Sequence, residues 1–161
     1  MIHDDLVLLA ARWLKRDHPV VITEMTSYAI ETPDAIGFKS AWSTLVECKA
    51  SRADFLADKK KKFRQQPETG MGNRRFYLCP KGMIDASELP DQWGLLYATP
   101  TGCHIVHHAI QQECNAAIES TLLLSALRRL GTVDDIKGVS VKVYTIKTRN
   151  RASLYLREDL P

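Results

Sequence analysis

Asp34, Glu47 and Lys49 are the residues whose types and spacing point most directly to chemistry. Asp34 precedes an apolar run, and a second apolar segment ends with Glu47-Cys48-Lys49. If residues 34–49 form a β-hairpin, Glu47 and Lys49 project to one face and Cys48 to the other, because side chains alternate along a strand. Two carboxylates and an ammonium group on one patch of sheet favour a hard divalent cation and a phosphate over a hydrophobic core.

Such a patch suits hydrolysis of a phosphodiester bond. The reaction needs an activated water, a stabiliser of charge on phosphorus and help for the leaving oxygen, and a metal held by carboxylates supplies several of these. Mg²⁺ keeps most of its waters, so Asp34 and Glu47 suffice as candidate ligands, with the backbone carbonyl of Cys48 as a further one. Lys49 would orient or activate the water, or neutralise the pentavalent phosphorane.

A further acidic residue is expected near this patch. Glu24 ends the first predicted strand and could reach the same site, while Glu31 competes for that role. The alternative for the whole group is a solvated hairpin with an ion pair, because this spacing alone is a weak signal. Leu45-Val46 before Glu47 favours the functional interpretation, since ligand sites in α/β sheets lie where buried strands end.

The surrounding pattern predicts the elements that position these residues. Apolar residues recur with helical spacing or follow the alternation of strands, and Ser51 with Asp54 resembles a capping box at the start of the second helix. The predicted elements are a helix at 4–16, strands at 20–25, 34–39 and 43–50, a helix from 51 to about 65, strands at 75–79, 93–98 and 103–107, a helix at 113–130 and a strand at 140–146.

This order predicts an α/β fold with a mixed central β-sheet flanked by helices. The 161 residues suit a single domain, 1–161, with a core at about 4–108 followed by a C-terminal helix and tail at 109–161. Hydrophobic residues make up 45% and charged residues 25%, a globular balance that excludes a disordered chain.

Basic residues are clustered although the net charge is only +3. Lys59, Lys60 and Lys62 lie on the predicted helix that follows the Glu-x-Lys segment, and Arg74-Arg75 end a loop rich in glycine. We predict that these five residues contact a nucleic-acid backbone. The alternative is that they form a solvated face and a connecting loop.

The cysteines indicate a reducing compartment. Four cysteines form no CxxC pair, and the N-terminal residues are acidic where a secretory leader would be basic, so we expect a cytoplasmic protein with free thiols. A zinc site from the cysteines and histidines of residues 103–114 has a spacing that matches no standard tetrahedral pattern. No apolar run is long enough to span a membrane.

Pro33-Asp34 followed by Glu47-Cys48-Lys49 resembles the signature of the PD-(D/E)XK, or restriction endonuclease-like, nuclease superfamily. The resemblance covers about residues 20–100 and is greatest to a subgroup of phage-encoded and bacterial proteins that includes the MmcB-like DNA-repair nucleases. The segments that carry this similarity are 47–60, 75–80 and 89–96.

The resemblance implies a restriction endonuclease-like core and dependence on Mg²⁺, with Mn²⁺ as a substitute. Asp34, Glu47 and Lys49 take the signature positions, and Glu24 corresponds best to the upstream acidic residue, with Glu31 as its rival. We therefore expect an endonuclease that hydrolyses double-stranded or branched DNA in phage or bacterial repair, recombination or restriction. A homodimer would suit double-strand cleavage. Many members bind without cutting, so the alternative is a non-catalytic nucleic-acid- or protein-binding module.

Overall fold

Two structural units make up the chain. The computed structural model describes residues 1–40 and 42–130, together with the backbone at 133–136 and 139–141. The units are Met1–Leu122 and Leu123–Pro161, and the boundary between them falls inside the longest described helix. Among the described residues, no helix has the length and apolar character needed to cross a membrane.

The first unit is built on a six-stranded mixed sheet. The six strands follow one another in the sheet in chain order. The third strand pairs parallel with the fourth, the fourth pairs parallel with the fifth, and the other pairs are antiparallel. The helices are α1 (His3–Leu14), α2 (Arg52–Asp58), α3 (Lys62–Gln65) and α4 (Ala116–Leu130). The strands are β1 (Val20–Thr23), β2 (Ala35–Lys39), β3 (Trp42–Cys48), β4 (Arg74–Pro80), β5 (Gly94–Thr99), β6 (Gly102–His107), β7 (Val133–Ile136) and β8 (Val139–Val141).

The predicted α/β fold with a mixed sheet flanked by helices is confirmed. The helix predicted from residue 51 to about 65 is interrupted, because α2 ends at Asp58 and α3 begins at Lys62. The interruption coincides with consecutive lysines, whose like charges oppose a continuous helix, and with a buried Asp58 side chain. Of the strand predicted at 140–146, residues 140–141 belong to β8, which pairs antiparallel with β7, and residues 142–146 lie outside the described residues.

One face of the sheet packs against α1. This helix begins with acidic residues, which favour its N-terminus, and the Asp5 carboxylate accepts a hydrogen bond from the Ile2 N–H at 3.0 Å. Its buried stripe packs on inward-facing side chains of β2 to β5, which form a continuous apolar layer. The members of that layer include Leu6, Ala10, Leu14, Val46, Cys48, Leu78 and Leu96.

The opposite face of the sheet is covered by α2 and the loops around it. Tyr77 of β4 lies at its centre, with Phe55 of α2 edge-on at 5.1 Å and Trp93 stacked at 4.4 Å between ring centroids. Leu45 and Leu95 are fully buried beside them. Because β3 side chains alternate, Glu47 lies on this face with Leu45, so apolar and charged groups are buried together here.

Candidate metal-binding and catalytic site

Asp34 and Glu47 lie side by side where β2 begins and β3 ends. Ala35 pairs with Val46 in the antiparallel register, so Asp34 stands opposite Glu47 one step further along. The Cys48 N–H donates to Asp34 Oδ2 at 2.7 Å, which fixes the carboxylate against the backbone of β3. The Cys48 thiol itself is buried on the α1 face. Like charges opposite each other across two strands are destabilising, so this pair needs a neighbouring cation.

Lys49 supplies part of that positive charge. Its Nζ lies 3.2 Å from Glu47 Oε2 and 3.4 Å from Asp58 Oδ1, and 5.9 Å from the centroid of the Tyr77 ring. Burial lowers the pKa of Lys49, but the carboxylates of Glu47, Asp58 and Asp34 outweigh burial and raise the pKa above its ordinary value. The same carboxylates therefore favour the charged form of Lys49.

Arg64 is the second buried cation, and sequence patterns did not single it out. Its Nε donates to Asp58 Oδ2 at 2.8 Å, one terminal nitrogen lies 3.0 Å from Glu47 Oε1, and the other pairs with Glu31. The guanidinium carbon also lies 4.9 Å from the centroid of the Trp93 ring. Arg64 thus bridges three carboxylates that are far apart in sequence.

Asp58 is the other residue that the sequence analysis missed as a site residue. Tyr77 donates its hydroxyl to Asp58 Oδ2 at 2.8 Å, and Lys61 lies 2.7 Å from Oδ1. Burial raises the pKa of Asp58, but Arg64, Lys49 and Lys61 together outweigh burial and hold the pKa below its ordinary range. Asp58 is the last residue of α2, and its side chain is buried.

The assembled cluster carries more negative than positive charge. It contains four carboxylates and three cations, namely Glu31, Asp34, Glu47 and Asp58 against Lys49, Lys61 and Arg64. The excess of negative charge affects Asp34. Burial, and then the nearby charge of Glu47, raise the pKa of the Asp34 carboxyl from 3.8 to about 6. A carboxylate with such a pKa is one that an additional cation would stabilise in its charged form.

Asp34 and Glu47 offer carboxylate oxygens, which are the kind of ligand that Mg²⁺ prefers. Among the described residues, Glu47 Oε1 has no hydrogen-bond donor, although a nitrogen of Arg64 lies 3.0 Å away. Within the same part of the chain, no three His, Cys, Asp or Glu side chains form a ready metal cage. A metal held by these two carboxylates alone would need water molecules as its other ligands.

Glu24 and Glu31, the two candidates for the upstream acidic residue, lie on different sides of Asp34. Glu24 is exposed, and its Oε1 lies 3.3 Å from His3 Nε2, while the same His3 nitrogen lies 3.7 Å from Asp34 Oδ1. Glu24 also has φ of +46°, and its N–H donates to the carbonyls of Pro33 and Asp34 at 3.1 Å. Such a strained backbone is typical of functional positions.

Glu31 is instead an internal member of the charged cluster. It is buried, pairs with Arg64, and accepts the Met71 N–H at 2.6 Å. Burial raises its pKa, although Arg64 and the Met71 N–H oppose the shift. Glu24 is thus the candidate on the solvent side of Asp34, and Glu31 supports Arg64 from within. His3 beside Glu24 was missed, and no sequence pattern marked it.

Some of the predicted nucleic-acid contacts are exposed, whereas others are buried or already contact other residues of the chain. Lys60, Lys62 and Arg74 are exposed, and the Arg74 guanidinium lies against the Trp42 ring. Lys59 donates to the Glu88 carbonyl at 2.6 Å and lies against the Phe55 ring. Arg75 has no exposed surface, so its assignment as a backbone contact is corrected. The alternation of β4 turns Arg74 outward and Arg75 inward.

Comparison with known proteins supports the fold. The chain is similar to the SPO1766 protein of unknown function from Silicibacter pomeroyi, with a TM-score of 0.62 and 26% sequence identity over 88% of this chain and 97% of that chain. No protein-family model matches the chain, and no curated protein matches it. Because the similar structure has no described function, the likeness carries no information about activity.

Proposed function

We propose that this protein is a metal-dependent endonuclease that hydrolyses DNA on a restriction endonuclease-like core. The observation that carries the proposal is the pairing of Asp34 with Glu47 across β2 and β3, with Lys49 on the same face 3.2 Å from Glu47. Two oxygen ligands and a fixed cation where a buried strand ends are the arrangement that phosphodiester hydrolysis needs.

Asp34 and Glu47 would hold Mg²⁺, or Mn²⁺ as a substitute, and the bound ion would supply an activated water and a Lewis acid for the phosphate. Lys49 carries a full positive charge, so its role is to orient Glu47 and to offset negative charge on phosphorus. Of the alternatives open for Lys49, neutralisation and orientation are therefore favoured over proton abstraction.

Substrate would reach the site from the side of Asp34. The Asp34 side chain is 19% exposed, whereas Glu47 and Lys49 are almost fully buried. Glu24 and His3 lie on the same open side and are positioned to adjust the charge of Asp34. Glu24 is accordingly our candidate for the further acidic group of the active site.

The expected substrate is double-stranded or branched DNA, with Lys60, Lys62 and Arg74 as exposed contacts to its backbone. The expected setting is repair, recombination or restriction in a bacterial cytoplasm, for a bacterial or a phage-encoded protein. A homodimer would place two such sites on opposite DNA strands.

Cleavage of plasmid and branched DNA with Mg²⁺, Mn²⁺ or EDTA tests the proposal. Asp34→Ala and Lys49→Ala should each lower the rate at least about 100-fold, while both variants remain folded. Lys81→Ala, which changes an exposed lysine outside the site, is the matched control and should cleave like the wild type. Equal rates for wild type, Asp34→Ala and Lys49→Ala would reject the assignment.

A binding module without hydrolysis is the second candidate. It is favoured by the internal pairing of the cluster, in which Glu47 already contacts Lys49 and Arg64 without any added ion. In that case DNA or protein binding would persist in EDTA, no metal would promote nicking, and Asp34→Ala would bind as the wild type does.

A further inference from the structure

Asp58 is a carboxylate in a place that disfavours one. It is the last residue of α2, where the negative end of the helix dipole opposes a negative side chain. Its side chain is only 1% exposed, and burial of a carboxylate is costly unless good partners compensate for the lost water. The contacts that Asp58 makes therefore have to explain why a carboxylate lies here.

Charge balance does not explain Asp58. The cluster already contains four carboxylates against three cations, so it would be closer to neutral without this residue. Arg64 would also keep two carboxylate neighbours, because it pairs with Glu31 and lies 3.0 Å from Glu47. What Asp58 contributes is thus the position of the groups around it rather than neutralisation.

The Lys49 ammonium group is the contact that depends most on Asp58. Its Nζ donates to Glu47 Oε2 at 3.2 Å and lies 3.4 Å from Asp58 Oδ1, whereas the exposed Asp54 is 4.0 Å away. A lysine side chain is long and flexible, and two close carboxylates restrict where its charge can lie. An ammonium group has three N–H donors, so one remains for a further acceptor.

Asp58 is itself held rigidly by other buried groups. Its Oδ2 accepts the Tyr77 hydroxyl and the Arg64 Nε–H, both at 2.8 Å. The Tyr77 ring has no exposed surface and packs against two other aromatic rings. These contacts fix Oδ2 and leave Oδ1 directed to the cations, so the position of Lys49 is tied to the aromatic core of this face.

We propose that Asp58 is a positioning residue, which holds the Lys49 ammonium group beside Glu47 so that it meets an anionic oxygen bound at Asp34 and Glu47. Asp58 is buried and would not itself touch the substrate. This inference rests on the proposed function in taking that oxygen to belong to a DNA phosphate. A charged group displaced by about 1 Å can lose on the order of 100-fold in rate, so the placement of Lys49 matters.

Asp58→Asn tests the proposal in the nicking assay. Asparagine keeps the shape of the side chain and can still accept the Tyr77 hydroxyl, but it removes the charge that attracts Lys49. The kcat per folded molecule should fall about 10- to 100-fold. The KM for DNA should be unchanged, because Asp58 offers no surface to the substrate.

Asp54→Asn is the matched control. It makes the same substitution on the same helix, but the Asp54 side chain is 48% exposed and lies farther from Lys49 Nζ, at 4.0 Å. Because exposed charges interact weakly, kcat should stay within about twofold of the wild type. Equal losses in the two variants would show that net charge near Lys49 matters and its position does not, and would overturn the proposal.

Nuclear magnetic resonance of the Lys49 side chain gives a readout that needs no cleavage. Its ¹⁵N–¹H ammonium signal, assigned from its absence in Lys49→Ala, should be visible in the wild type, since burial and ion pairs slow exchange of its protons with water. The signal should be lost in Asp58→Asn and retained in Asp54→Asn. If Asp58 only stabilised the fold, folded Asp58→Asn would keep the signal.

A retained Lys49 signal in Asp58→Asn would overturn the inference, and so would a wild-type kcat in that variant. A raised KM with unchanged kcat would give Asp58 a role in binding DNA and also overturn it. If Asp58→Asn does not fold, Tyr77→Phe removes one donor to Asp58, keeps the ring and should lower kcat about tenfold. A wild-type kcat in Tyr77→Phe would then reject the inference.

Failure of this inference is distinguishable from failure of the proposed function. A wild type that nicks no DNA would reject the nuclease proposal, while a Lys49 signal that depends on Asp58 would still support the positioning of Lys49. Nicking with the same kcat in the wild type and Asp58→Asn would reject only the role of Asp58.

Discussion

The two faces of the central sheet bury different kinds of side chain, although neighbouring residues of the same strands supply both. The face under α1 is an apolar layer, in which Val46 and Cys48 of β3 pack against helical side chains. The opposite face buries Glu47 and Lys49 together with Arg64. Since the two faces share a backbone, their difference arises from the alternation of side chains along β3.

The difference indicates what each face is for. Burying apolar groups stabilises a fold without further conditions, whereas buried ion pairs often contribute no more than the apolar residues they replace. A charged face with an excess of carboxylates is thus a poor choice for stability alone. Both faces bury apolar residues that hold the fold, and we infer that the charged residues added on the second face are retained for a ligand.

The largest expected effect is on the charged face. Arg64→Met should lower the free energy of unfolding by about 3–5 kcal/mol, because it leaves the carboxylates of Glu31, Glu47 and Asp58 buried with less compensation. Urea denaturation measures the change. Arg52→Ala is the control, since it removes an exposed ion pair to Glu88 and should cost much less than Arg64→Met. A loss below about 1 kcal/mol for Arg64→Met would contradict the prediction.

On the apolar face, Leu6→Ala should lower the free energy of unfolding by about 2–5 kcal/mol by leaving a cavity under α1. The rate of DNA cleavage per folded molecule should remain unchanged, because the substitution touches none of the charged cluster. Leu8→Ala, at an exposed position of the same helix, is the stability control. A lower cleavage rate per folded molecule in Leu6→Ala, with a wild-type rate in Leu8→Ala, would show that the two faces are coupled.

Asp34→Asn should make the metal-free protein more stable at pH 8. The folded-state pKa of Asp34 is about 6 against an ordinary 3.8, so the folded protein holds this proton more tightly and loses stability as the pH rises from about 4 to 6. Asparagine has no such cost and can still accept the Cys48 N–H. The gain should be on the order of 2 kcal/mol above pH 6 and vanish near pH 4. Chemical denaturation at both pH values measures it, and equal effects at the two values would contradict it.

Much of the charged face was predictable, and the reasons are local. The alternation of β3 and the short hairpin are sufficient to bring Asp34, Glu47 and Lys49 together, since both depend on residues near in sequence. Alternation along β4 also distinguishes Arg74 from Arg75, a signal that the prediction of two exposed arginines did not use.

The remaining members of the cluster depend on tertiary structure. Arg64 reaches Glu47 from α3, which is separated from α2 by a break between Asp58 and Lys62 that the sequence pattern did not predict. Glu31 reaches Arg64 from a loop with no periodicity.

The smallest expected effect tests the metal directly. If Asp34 and Glu47 bind Mg²⁺, then Mg²⁺ at about ten times its dissociation constant should raise the free energy of unfolding by about 1.4 kcal/mol. The stabilisation should weaken as the pH falls through about 6, because protonation of Asp34 competes with the metal. Asp34→Asn should abolish it, whereas Leu8→Ala should retain it. Mg²⁺ stabilisation of equal size in Asp34→Asn would place the ion elsewhere, and the charged face would then have to be explained without a metal.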